Sequence, residues 1–150
     1  VILVAFQFVA NEPMSSAWRA FLDGRLPSGF FDPLVLLHIG AGSLILLLAR
    51  VRIYLRIVRG APSPPQDEAW LLQFTAEAVH VSIYVLLLSL PATGAAAWLL
   101  GMPFAGVLHS WLTNFLLGAI ALHVGGALFQ HVVRRSDVLL RMFKPQSPEG

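Results

Sequence analysis

Three stretches of the chain are long and almost free of charge: residues 33–58, 70–100 and 104–133. Crossing a hydrocarbon layer about 30 Å thick takes about 20 apolar helical residues, so each stretch is predicted to be a membrane-spanning helix. A fourth apolar stretch, residues 1–10, is too short to cross alone and is expected to be the rest of a first helix truncated in this sequence. A signal-peptide remnant is the weaker reading, since neither a basic leading segment nor a cleavage-site pattern is visible. Pro33 suits a helix start, and Pro91 near Gly94 predicts a kink in the third helix. Residues 11–32 and 101–108 read as loops on one side of the membrane, and the Pro/Ser stretch 61–65 as a connector on the other. The expected fold is all-α: one membrane domain over 1–150, an up-down four-helix bundle.

Composition supports this setting. Hydrophobic residues make up 57% of the 150 and charged residues 12%, against about 25% charge in an ordinary soluble domain; mean hydropathy is +0.73. With no cysteine, the chain can form no disulfide, thiolate metal site, iron–sulfur cluster or covalent c-type haem attachment. The pI near 9.7 does not point to nucleic acid, because the basic residues cluster beside the apolar runs. Arg50, Arg52, Arg56, Arg59, Arg134, Arg135, Arg141 and Lys144 fall on one side and only Arg19 and Arg25 on the other. That asymmetry makes the richer side, with both termini, cytoplasmic.

Against this background the histidines stand out. His109 and His123 lie fourteen positions apart in one uncharged run. On a helix that spacing returns to within about 40° of the same face and rises about 21 Å. The two imidazoles therefore face one way near opposite sides of the membrane, where one axial ligand for each of two stacked haems would sit. His38, five residues into the second helix, shares the outer level with His109, which is expected to begin the fourth. His80, about ten residues into the third helix, shares the inner level with His123. A haem iron held by two imidazoles needs two histidines at one depth, with small residues beside them to admit the macrocycle. Gly40 and Gly42 flank His38; Gly118, Gly125, Gly126 and Ala127 flank His123.

Each feature also has a plainer explanation. An intramembrane histidine can serve only to hydrogen-bond a neighbouring helix, although polar groups in lipid are usually functional. His80, near Glu77, can be a ligand or a hydrogen-bonding and proton-handling group; His131 reads as interfacial. Glycines also serve close packing of membrane helices. Arg52 and Arg56 are either a positive-inside flank or partners for haem propionates, whose carboxylates suit the guanidinium fork. A haem-free anchor or proton-handling transporter bundle is the alternative from a different class.

Several short stretches together resemble the bacterial diheme cytochrome b561 family across nearly the whole chain. They are Leu37-His38 with Gly42; Val51-Arg52-Ile53-Tyr54-Leu55-Arg56; His80 with Ile83-Tyr84; Leu90-Pro91-Ala92-Thr93-Gly94; His109 with Asn114; Leu122-His123 and His131; and Ser136-Asp137-Val138-Leu139-Leu140-Arg141-Met142-Phe143. The resemblance implies a four-helix cytochrome of the bacterial inner membrane with two non-covalent b-type haems. It implies electron transfer between the quinone pool and a partner: superoxide in one branch, dehydrogenase or hydrogenase subunits in others, with a second copy of the chain also possible as a companion. His38 and His109 match the family's outer-haem ligands and His123 one inner-haem ligand. The second inner ligand of the family lies near the start of the first helix, before Val1; without it, His80 is the best partner for His123 by depth. The chain departs from the family at Ser110, where Glu is frequent, and at Gln130, where His precedes His131, and its outer loop is short. These departures bear on donor and acceptor, not on the haem scaffold.

Overall fold

The computed structural model describes residues 2–24, 32–60 and 70–132. Arg25, Arg134, Arg135, Arg141, Lys144, the connector over 61–65, the tail over 136–143 and the side chain of His131 lie outside the described residues. Five helices follow in order: α1 (Ile2–Val9), α2 (Asn11–Leu22), α3 (Pro33–Arg59), α4 (Trp70–Leu100) and α5 (Pro103–Val132). Of these, α3, α4 and α5 are long and apolar enough to cross a membrane. The molecule is an all-helical membrane bundle.

Local chemistry sets the helix ends. Asp32 caps α3 by accepting the Leu34 amide at 2.8 Å, and Pro33 fills the first turn, where a missing N–H costs nothing. At the far end Arg56 and Arg59 face the negative end of the helix dipole, and Gly60 leaves at φ +79°. Between α4 and α5 lie only Gly101 and Met102; Gly101, at φ +62°, takes the left-handed conformation that so short a reversal requires.

Helix α4 is central. Both α3 and α5 pack on it, and α1 and α2 pack on α3. Little is fully buried: Val35 is the largest side chain with no exposure, and the rest of the core is mainly alanine, as at Ala49, Ala97 and Ala105. Leucines and phenylalanines point outward, with Leu99 77% and Phe104 74% exposed. In water this would be an aggregating surface; in a bilayer it is the lipid face, and small residues let the helices approach closely.

Two expectations need correction. Residues 11–22 were expected to be loop and are helix α2. Met14, Ala17, Trp18 and Phe21 lie at helical spacing on one face, with Glu12, Ser15 and Arg19 on the other, so the signal was an amphipathic period too short and polar to register as a span. The outer loop expected over 101–108 is only two residues long, since α5 starts at Pro103. His109 is therefore the seventh residue of its helix, not the first. Helix α4 carries Pro91 within its length, Trp70–Leu100.

Helix α2 closes the outer end of the bundle. Trp18 stacks on Phe21 at 5.4 Å, and both rings lie against Trp98 of α4, at 6.4 and 6.2 Å. A Cβ at Gly106 would come within 2.8 Å of the Trp18 indole nitrogen; glycine there gives the indole its seat on α5.

Candidate functional site

The histidines meet in two pairs at two levels. His38 of α3 and His109 of α5 lie with ring centroids 6.4 Å apart and planes at 59°. His80 of α4 and His123 of α5 lie at 4.9 Å and 59°. Fourteen residues of continuous α5 separate the levels, a rise of about 21 Å.

At the outer level, His109 is held by the backbone of α4. Its Nδ1 lies 2.9 Å from the Leu90 carbonyl oxygen. A carbonyl only accepts, so Nδ1 carries the proton and donates, and the unprotonated nitrogen is Nε2, the one free to bind a metal. Thr93 Oγ1 lies 3.3 Å from the same Nδ1 and is itself tied to the Ser89 and Leu90 carbonyls at 2.9 and 3.0 Å. A Cβ at Gly94 would stand 3.2 Å from the His109 ring atoms Cε1 and Nδ1. The stretch Leu90-Pro91-Ala92-Thr93-Gly94 thus forms a seat for one imidazole: an acceptor, a hydroxyl and a missing side chain.

His38 is placed differently. The Gln7 side chain of α1 donates from Nε2 to the His38 carbonyl at 3.0 Å, and a Cβ at Gly42 would lie 3.1 Å from that nitrogen. Among the described residues His38 Nδ1 is a buried polar atom without a hydrogen-bond partner. Of the glycines expected to make room, Gly42 has this defined neighbour, whereas a Cβ at Gly40, Gly118, Gly125 or Gly126 would meet nothing within 4 Å.

Around the inner level the neighbours are charged. Glu77 and Tyr84 lie one turn either side of His80 on the same face of α4. Arg56 donates from Nη2 to both Glu77 carboxylate oxygens, at 2.8 and 2.9 Å, and its guanidinium carbon is 5.8 Å from the centre of the Tyr84 ring. Arg52 donates from Nε to the Tyr84 hydroxyl at 2.9 Å. The two arginines, expected to be a topological flank or partners for haem propionates, bind side chains of α4, Arg56 on Glu77 and Arg52 on Tyr84. Gln7 was not singled out from the sequence, and Thr93 entered only as part of a stretch carrying the resemblance; a lone amide and a threonine in apolar helices carry no pattern by themselves.

Among the described residues no three His, Asp or Glu side chains converge as a metal site would require. A metal between either histidine pair would take two ligands from these side chains and the others from elsewhere, as a porphyrin supplies them. The distances test the fit. Two imidazoles on one metal, at bonds of about 2.0–2.1 Å and with ring centres about 1.1 Å behind each nitrogen, stand with centroids about 6.3 Å apart. The His38–His109 pair, at 6.4 Å, fits. The His80–His123 pair, at 4.9 Å, is too close to bracket an iron without moving apart.

Comparison with known proteins gives the family. Residues 1–145 match the family described as prokaryotic cytochrome b561. Cytochrome b562 of Cereibacter sphaeroides is 31% identical over 147 residues, covering 96% of this chain and 87% of the relative. Cytochrome b561 homolog 1 of Escherichia coli is 29% identical over 166 residues, covering 95% and 89%. No solved structure matches the chain. With the family match running over nearly its whole length, the chain belongs to the prokaryotic cytochrome b561 family and is a bacterial membrane b-type cytochrome that transfers electrons.

Proposed function

We propose that the chain is a two-haem conductor across the membrane, with an outer haem between His38 and His109 and an inner haem on His123. The observation that carries this reading is the pairing of histidines at two levels, with the outer pair at the separation a shared iron needs. A b-type haem at each level would supply reversible one-electron chemistry. His109 presents Nε2 because its Nδ1 proton is committed to Leu90. The inner second ligand is expected from the start of the first helix, with His80 beside His123 as a neighbour that tunes it through hydrogen bonding. Arg52 and Arg56, held by Tyr84 and Glu77, place positive charge beside the inner level, where propionates or a reduced quinone would be stabilised.

Quinone is the proposed diffusible partner, and superoxide or a dehydrogenase or hydrogenase subunit the other redox partner. The arginine-rich end of α3 is assigned to the cytoplasm, with both termini on that side. The decisive experiment is a pyridine haemochrome assay against protein mass on the full-length membrane protein. Two haems per chain, both extractable by acid acetone, are expected. A ratio of one removes the two-level assignment.

A further inference from the structure

Two buried side-chain polar atoms lack a hydrogen-bond partner among the described residues: Gln7 Oε1 and His38 Nδ1. They belong to residues already in contact, since the Gln7 amide nitrogen donates to the His38 carbonyl at 3.0 Å. That bond fixes which end of the amide is which, because a carbonyl oxygen accepts only from the NH₂ end. The amide oxygen is left on the other side of the same group, still unmatched. The slot that admits the amide exists because residue 42 is glycine: a Cβ there would stand 3.1 Å from Gln7 Nε2.

An imidazole that binds a metal through Nε2 carries its proton on Nδ1. In a low-dielectric interior that proton needs an acceptor, because a buried donor without one has given up its hydrogen bond to water and gained nothing in return. His109 has the Leu90 carbonyl. Among the described residues His38 Nδ1 has no such partner, yet an unmatched acceptor belongs to the residue clamped on the His38 backbone. We infer that Gln7 is the positioning residue of His38: its amide oxygen takes the Nδ1 proton and holds the ring with Nε2 turned toward the iron shared with His109. One rearrangement of ring and amide satisfies both orphaned atoms. Gln7 thereby links the first helix, which supplies none of the outer level's histidines, to the outer haem. The inference rests on the assignment of His38 as an axial ligand.

An acceptor on Nδ1–H makes the imidazole a stronger donor and favours the oxidised iron. Gln7→Leu removes the acceptor at similar volume. Both haems are expected to remain, with the outer haem's midpoint potential raised by about 59 mV, the one-electron equivalent of a tenfold change. The low-field electron paramagnetic resonance feature of the outer haem should move while the inner one stays. Gln7→Glu, which keeps an acceptor in place, is expected to restore the spectrum or to lower the potential. If Gln7→Leu does not accumulate, Gly42→Ala provides the second arm: it displaces the amide with Gln7 intact, and the same upward shift is expected. Unchanged outer potential and spectrum in either variant, or a loss of melting temperature alone, overturns the inference. His38→Ala separates the two levels of the argument. Loss of the outer haem there beside a silent Gln7→Leu refutes the role of Gln7 only; survival of the outer haem refutes the ligand assignment and the role of Gln7 with it.

Discussion

The outer and inner histidine levels are built from different materials. At the outer level, the partners are main-chain carbonyls and missing side chains: Leu90 O on His109, the cleared positions Gly94 and Gly42, and the Gln7 amide, all under the aromatic roof of α2. At the inner level they are charged side chains, Arg56 on Glu77 and Arg52 on Tyr84, flanking His80. Backbone carbonyls cannot titrate or swing away, so they hold one tautomer and one ring orientation. Mobile charges instead adjust an electrostatic potential and can attract an anion. The outer level is suited to rigid coordination, and the inner level to exchange with a charged or protonated partner.

The largest expected effect separates the two levels outright. His109→Ala should abolish the outer haem while the inner one persists, and His38→Ala should do the same, because each level has its own ligands about 21 Å apart along α5. Reduced-minus-oxidised spectra with haem quantification check it. Loss of the same haem in His38→Ala and His123→Ala would collapse the two levels into one.

Next comes the missing side chain at the outer seat. Gly94→Val places carbon where even a Cβ stands 3.2 Å from the His109 ring, and the ring must leave its bond to Leu90 to escape. Outer-haem occupancy is expected to fall about 10-fold, in the range for lost support of a metal ligand, with the inner haem as internal standard. Full occupancy of both would show that the seat is not needed.

A smaller effect is expected at His80. With its ring 4.9 Å from that of His123, His80→Ala should shift the potential of the inner haem and leave both low-spin signals in place. Electron paramagnetic resonance of the oxidised protein checks this; conversion of one signal to high spin would make His80 an axial ligand.

The smallest concerns the ion pair. With Arg56 one turn from the end of α3 and Glu77 two turns from the start of α4, the pair is expected at the membrane–water interface, and Glu77→Gln should change stability by no more than about 1 kcal/mol, as for solvent-exposed pairs. Thermal melting in detergent at two salt concentrations measures it. A larger, salt-independent loss would mean that the inner cluster supports structure in the way the outer seat does.

Much of this organisation was legible before any coordinates. Uninterrupted apolar runs predicted the three spans, because transfer into hydrocarbon depends on composition summed along a segment and not on its neighbours. The fourteen-residue spacing put His109 and His123 on one face of one helix, since the period of a helix is local. The absence of cysteine left only non-covalent haem. What tertiary structure decided was everything that depends on how separate helices rotate and approach one another. The ring separations of 6.4 and 4.9 Å, the donation of His109 to Leu90, the pairing of Arg56 with Glu77 and the contact of Gln7 with His38 each join residues at least 19 positions apart or on different helices. Helix α2 was missed because its period is amphipathic and its apolar face is satisfied by other parts of the bundle, among them α3, Trp98 and Gly106. Hydropathy acts along the chain and can be read there; side-chain partnership acts across the bundle and exists only once the helices have packed.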